Sequence, residues 1–139
     1  MFDSLKYIIE KRLGTLIVLD DLAMENGYFL KILPKHLPAA AFFLKNDPDT
    51  RLTLLDQIVI IPTGTIPWPK NPTVTVAYEI LYQLKSLKLP YSISLVVEAP
   101  SPSEALPSIS LLFLGAKWPE TDISKNYNIE FENIEREVL

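Results

Sequence analysis

The sequence contains no cysteine. No disulfide, thiolate nucleophile, iron–sulfur cluster or cysteine zinc site can be built from this chain, so any redox centre that it serves sits in another polypeptide. Histidine occurs once, as His36. One imidazole cannot supply a histidine-pair metal site and no Ser or Cys motif accompanies it, so His36, at an expected helix start, reads as a surface or half-buried structural residue. The four glycines form no G-x-S-x-G, G-x-G-x-x-G or Walker pattern, which excludes phosphate-loop enzymes. No apolar run approaches the roughly 20 residues that span a bilayer. The run at 13–19 is short and interrupted, and Asp3 stands where a signal peptide carries basic residues, so the chain is expected to be soluble, cytoplasmic and without direct membrane insertion. Clustered positive charge is also missing. Thirteen Lys and Arg lie scattered among 17 Asp and Glu, for a net charge of −4, which removes the electrostatic basis for binding nucleic acid.

Apolar residues are plentiful: they make up 48% of the 139 residues, and the mean hydropathy is +0.18. A chain of this length fits one domain, 1–139, that buries roughly 68–70% of its unfolded surface, and the apolar excess points to further surface covered by a partner. Ser4 caps an expected helix to about Arg12, with Gly14 as its stop. Residues 15–19 read as a strand, 20–26 as a polar connection ending in the Asn26-Gly27 turn signal, and 28–33 as a second strand forming a hairpin with the first. A buried helix is expected over 35–45, with Pro38 in its first turn, and Asn46 to Asp49 ends it. The β-rich run 58–61, stopped by Pro62, is a third strand. Residues 62–72 hold four prolines and Trp68 and form a stiff loop, with Trp68 folded on the core or facing a partner. Residues 73–87 read as one long strand, although the second half could pass for helix, and 91–98 as a strand beside it. A loop at 99–103 leads to a C-terminal helical or loop segment. The order helix-strand-strand-helix-strand-strand-strand implies a two-layer α+β fold.

Paired carboxylates are the remaining catalytic possibility: Asp20 with Asp21, Glu120 with Asp122, and Glu130, Glu132, Glu135 and Glu137 in the tail. Acid–base catalysis needs environments that separate two pKa values, which adjacency does not provide. The first pair suits a turn and the tail acids suit solvent. Glu120 suits a helix start, where the macrodipole favours an acid, and Trp118 reads as a core plug or a contact residue. A hydrolase using Glu120 and Asp122 is the weakest reading.

Two segments are individual enough to carry a resemblance. Tyr78-Glu79-Ile80-Leu81-Tyr82-Gln83-Leu84-Lys85-Ser86-Leu87 has the form aromatic-Glu-apolar-apolar-Tyr-x-Leu-x-Ser-Leu. Pro107-Ser108-Ile109, then Ala116-Lys117-Trp118-Pro119-Glu120-Thr121-Asp122, then Lys125-Asn126-Tyr127-Asn128-Ile129, follow the order Pro-Ser-apolar, Ala-x-Trp-x-Glu-Arg-Glu, Asp-x-aromatic-Gly-Ile. In these the chain resembles the 30 kDa subunit family of respiratory complex I, the NADH-quinone oxidoreductase. It most resembles the short version found in energy-converting membrane-bound nickel–iron hydrogenases. The resemblance covers roughly 31–131. Thr121 replaces the family's Arg, Lys125 its Asp and Asn128 its Gly, and Glu132 to Glu137 replace a His-Pro-Asp-Leu-Arg-Arg segment. Loss of those charges favours the compact hydrogenase type over a full-length complex I subunit.

What the resemblance implies is a non-catalytic, cofactor-free hydrophilic scaffold, not an enzyme by itself, on the inner face of the cytoplasmic membrane. It would dock a hydrogenase-like large subunit and an Fe–S subunit, with Pro107, Ser108, Trp118, Glu120, Asp122 and Tyr127 as partner-interface residues. The alternative is a free-standing binding protein derived from this family, holding a small ligand or peptide with the Trp68 loop.

Overall fold

A computed structural model of the chain describes residues 7, 9, 11, 19–23, 28–66, 77–88, 92–99 and 104–132. Strands β1 (Leu19–Ala23) and β2 (Tyr28–Ile32) pair antiparallel, as the expected hairpin requires. β1 lies further along the chain than the sequence implied: Asp20 and Asp21 stand in the strand, with an irregularity in register between Leu19 and Asp21, and not in a turn. Backbone pairing at the end of the sheet overrides the poor β propensity of aspartate. Residues 15–18 and the Asn26-Gly27 signal lie outside the described residues. So does most of the expected first helix, although Ile9 within it is fully buried in the core.

A short 3-10 turn at Pro34–His36 leads into helix α1 (Leu37–Asn46), with Pro38 in its first turn where a missing N–H costs nothing. α1 buries Leu37, Ala40, Ala41 and Leu44, the i, i+3, i+4, i+7 stripe of an amphipathic helix. Strand β3 (Leu54–Pro62) starts four residues before the β-rich run that announces it, and a shift in register between Leu55 and Gln57 accounts for its poor alternation. β4 (Tyr78–Lys85) is strand throughout, so the helical option for 80–87 is excluded, and β5 (Ser92–Glu98) runs antiparallel beside it. Residues 67–76, including Trp68, lie outside the described residues.

The sheet order is β1-β2-β5-β4-β3. The chain leaves β2 through α1, builds the β3–β4 pair and returns β5 between β4 and β2, which makes the β2–β5 pairing parallel. β4 and β5 are therefore interior to the sheet and buried on both faces through most of their length, one face apolar and the other mixing Leu81 and Val96 with the polar Glu79 and Ser94. Alternate residues Ile80, Tyr82 and Leu84, with Ile93, Leu95 and Val97, face the helices. Leu81 and Val96 face the other side, where Ile66 packs on them. On that second face Lys31 reaches Glu98 at 3.2 Å and the fully buried Glu79 at 3.7 Å. The arrangement is an α+β fold.

The C-terminal segment contains more structure than the sequence revealed. β6 (Ala105–Pro107) and β7 (Glu130–Glu132) form a parallel pair, and a 3-10 turn (Leu114–Ala116) continues into α2 (Lys117–Tyr127). Strands of three residues are too short to register as periodicity.

Candidate functional site

Helix α2 begins with Lys117, Trp118 and Pro119, and no side chain caps its N-terminus. Glu120 in this first turn is fully buried and lies over the segment after β6. Its Oε1 accepts a hydrogen bond from the Ser108 hydroxyl at 2.6 Å, and its Oε2 accepts one from the Ile109 N–H at 3.2 Å. The Ser110 N–H donates to Ser108 Oγ at 3.1 Å, and the two serine hydroxyls lie 2.9 Å apart. The carboxylate thus ties the first turn of α2 to residues 108–110, with the positive end of the helix dipole behind it. Burial pushes the Glu120 carboxyl above its usual range, while the bonds from Ser108 and Ile109 pull it down by less.

Beneath this group stands Tyr82 of β4. Its hydroxyl is buried without a hydrogen-bond partner, and its ionisation is pushed far up by burial and then by the Glu120 charge. Tyr82 therefore remains a neutral phenol. Tyr82 offers no deprotonated nucleophile or base, and each Glu120 oxygen accepts a hydrogen bond from within the chain. Asp122 is exposed and shares no hydrogen bond with Glu120 among the described contacts, so the two do not form an acid–base pair. Among the described residues no group of three or more His, Asp or Glu side chains converges to hold a metal.

The six residues singled out in the sequence separate into two groups. Pro107 and Ser108 are half-buried and Glu120 fully buried; the structure withdraws Glu120 from the surface and gives it bonds within the chain. Trp118, Asp122 and Tyr127 are exposed. Trp118 is 66% exposed, with Lys117 Nζ 5.7 Å from its ring, so it is no core plug. Tyr127 stacks edge-on against Tyr78 at 5.5 Å and so joins the end of α2 to β4. Asn128, which follows, holds φ 56° and ψ 42°. A left-handed residue ends a helix most readily as Gly and next as Asn. Asn therefore suits this backbone position, as Gly would.

Sequence reasoning missed the apolar surface beside this group. A groove of about 970 Å³ runs between α1 and residues 107–112, lined by Pro38, Phe42, Phe43, Pro107, Leu111 and Leu112 among others. A second hollow of about 600 Å³ continues past Leu111 and Leu112 to Leu54 and Leu114. Phe42 is 57% exposed and Leu111 and Leu114 each 72%. Lys45 fixes the far wall: its ammonium donates to the Leu112 carbonyl at 2.6 Å and lies 5.3 Å from the centre of the Phe113 ring. Two signals for this surface were present. Adjacent Phe42 and Phe43 cannot both face inward from one helix, and neither can all of Leu111 to Leu114.

Comparison with known proteins gives the same fold. A family model described as the respiratory-chain NADH dehydrogenase 30 kDa subunit matches residues 30–137. Among solved structures, the trypsin-resistant fragment (1–134) of Nqo5 aligns with a TM-score of 0.69 at 17% identity, over 96% of this chain and 98% of that one. A chain of the membrane-bound sulfane sulfur reductase, an archaeal respiratory membrane complex, aligns with a TM-score of 0.67 at 18% identity, over 96% of this chain and 71% of that one. No curated protein sequence matches.

Proposed function

Since the chain belongs to the respiratory-chain NADH dehydrogenase 30 kDa subunit family, we propose that it is a non-catalytic scaffold subunit of a membrane-bound energy-converting hydrogenase or related complex-I-like oxidoreductase. It docks the large subunit that carries the active site and the Fe–S subunit, and it sits peripherally on the inner face of the cytoplasmic membrane. The observation that carries this reading is the family match across 30–137. Support comes from the exposed apolar side chains of Phe42, Leu111 and Leu114 along the groove and of Trp118 on α2, of the kind that partners cover. Among the described residues no helix is long and apolar enough to cross a membrane, consistent with attachment through other subunits. Trp118, Asp122 and Tyr127, with Pro107 at the groove, face the partners, while Ser108 and Glu120 hold that face in shape. The absence of cysteine leaves electron transfer to those partners.

Purification of the native protein in mild detergent tests this. The expected result is co-purification of a hydrogenase-like large subunit and an Fe–S subunit; recovery of the chain alone counts against it.

The groove favours one rival, a free-standing protein that binds a small ligand or peptide. Its volume lies within the roughly 300–1,000 Å³ of ligand pockets. A stable monomer that co-purifies with a small molecule and no other subunit would establish the rival.

A further inference from the structure

We infer that the outer edge of β3 at Ile58 and Ile60 receives an extended, uncharged segment of a partner subunit, which adds a sixth strand to the sheet through main-chain hydrogen bonds. The inference rests on the scaffold reading and names the form of one docking contact. β3 ends the sheet order, so β4 satisfies only one of its two sides. Which residues point outward follows from the pairing. The Thr63 N–H donates to the Ala77 carbonyl at 2.9 Å, and the same register joins Ile61 to Glu79 and Val59 to Leu81. In an antiparallel ladder every second residue is bonded to the neighbouring strand. Val59, Ile61 and Thr63 therefore turn their main-chain groups toward β4, and Ile58 and Ile60 turn theirs away. The Ala99 N–H, bonded to the Tyr78 carbonyl at 3.0 Å, gives the same alternation from the other side of β4, whose even-numbered residues face β5. Among the described residues no main-chain bond reaches the N–H or C=O of Ile58 or Ile60 on that outer side.

The open stretch is bounded at both ends. Before it the register shifts between Leu55 and Gln57, and Asp56 pairs with Lys85 at 3.4 Å. After it Pro62 has no N–H, and its carbonyl already accepts from the Thr65 N–H and hydroxyl. Charges, prolines and irregular register are the devices that keep a strand edge from pairing. At the opposite edge β1 has five residues, an irregular register and two aspartates. The run Ile58-Val59-Ile60-Ile61 has no such device, and its last three side chains are only half-buried. Geometry says what covers it. Only an extended backbone presents donors and acceptors at the spacing of Ile58 and Ile60. Ile60 packs on the cluster under the helices, and Val59 and Ile61 on the cluster of the second face, so the added segment needs apolar or β-branched residues on both of its faces. The N–H and C=O of two residues cannot by themselves hold two copies together, since a stable interface buries roughly 1,200 Å² or more. They serve a strand whose subunit is also held elsewhere, and on the scaffold reading that hold is the exposed apolar surface at Leu111, Leu114 and Trp118.

The test reads amide hydrogen exchange residue by residue, in the isolated chain and in the complex purified in mild detergent, with exchange quenched before the complex is taken apart. In the isolated chain the Ile58 and Ile60 amides should exchange about tenfold or more faster than those of Val59 and Ile61, and in the complex they should slow to match them. Ile58 and Ile60 amides that stay fast in a complex complete with its subunits overturn the inference and leave the scaffold reading standing. Protection already present in the isolated chain overturns it as well: if dilution removes the protection the occupant is a second copy, and if dilution does not, this chain covers its own edge. Ile60→Pro deletes an outward N–H and no bond to β4, so it should fold and lose about tenfold in recovered subunits, while Ile60→Thr, which keeps the N–H, should lose little. Equal recovery with a folded Ile60→Pro and with Ile60→Thr overturns the inference; if Ile60→Pro does not fold, the exchange rates of the unaltered chain decide. For a chain that recovers no subunits the probe is a synthetic peptide of about eight alternating Val and Thr residues. Slowing of the Ile58 and Ile60 amides by this peptide, and not by its copy N-methylated throughout, sinks the scaffold reading alone, and no slowing sinks both.

Discussion

Ser108 and Glu120, twelve positions apart in the sequence, meet at 2.6 Å between the Ser108 hydroxyl and Glu120 Oε1. The Pro-Ser and Trp-x-Glu elements of the family pattern are thus two halves of one contact. Ser108 follows β6, Glu120 opens α2, and the bond closes the loop that carries Leu111 and Leu114.

Removal of the hydroxyl should therefore cost stability. Ser108→Ala should lower the unfolding free energy by about 1.5–3 kcal/mol, the range for a hydrogen bond to a charged group. Urea unfolding measures it. In a Glu120→Ala background the same change should cost much less, with a coupling between the two sites of about 0.5–3 kcal/mol. Additive losses would show that the contact is not formed in solution.

Burial raises the carboxyl of Glu120, and the sign of its pH effect follows. An acid whose pKa is higher folded than unfolded binds its proton more tightly in the folded state. Its contribution to stability is full below the unfolded value, near 4.5, and is lost as pH rises through the raised folded value. Glu120→Gln removes that term. The stability of the variant relative to the unaltered chain should rise as pH increases from about 4.5 and level off above the folded pKa, as urea midpoints across a pH series would read. A difference that is flat with pH would contradict it.

Lys31 serves two carboxylates on the second face of the sheet. Lys31→Met takes a cation away from the fully buried Glu79 and should destabilise by about 3–5 kcal/mol, the usual cost of breaking a buried pair from one side. Adding Glu79→Leu should recover most of the loss in thermal unfolding. Glu98, whose side chain is 38% exposed, can be neutralised as Glu98→Gln at much smaller cost.

At Asn128 the left-handed backbone, φ 56°, makes glycine harmless and a Cβ costly. Asn128→Gly should leave the urea midpoint unchanged or slightly raised, and Asn128→Ala should lose about 1 kcal/mol. A stable Asn128→Ala chain would show that α2 ends elsewhere.

Much of the fold was legible because its causes are local. The hairpin, α1 with Pro38 in its first turn, and the strands at 78–85 and 92–98 follow from proline chemistry, apolar periodicity and β-rich runs, which act between near neighbours. The family pattern added the family of a chain whose missing cysteines and single histidine exclude cysteine-based redox centres and histidine-pair metal sites. What the sequence could not decide was partnership. That Asp20 and Asp21 enter a strand, that β5 inserts parallel to β2, and that three-residue β6 and β7 find each other depends on segments far apart in the chain. The same holds at the candidate site. Read along the chain, Trp118 and Glu120 looked equally suited to contact. Only packing against β4 and residues 108–110 turned the carboxylate inward and left the indole in solvent, because the cost of burying a charge is offset in part where donors converge, and convergence is a property of three dimensions.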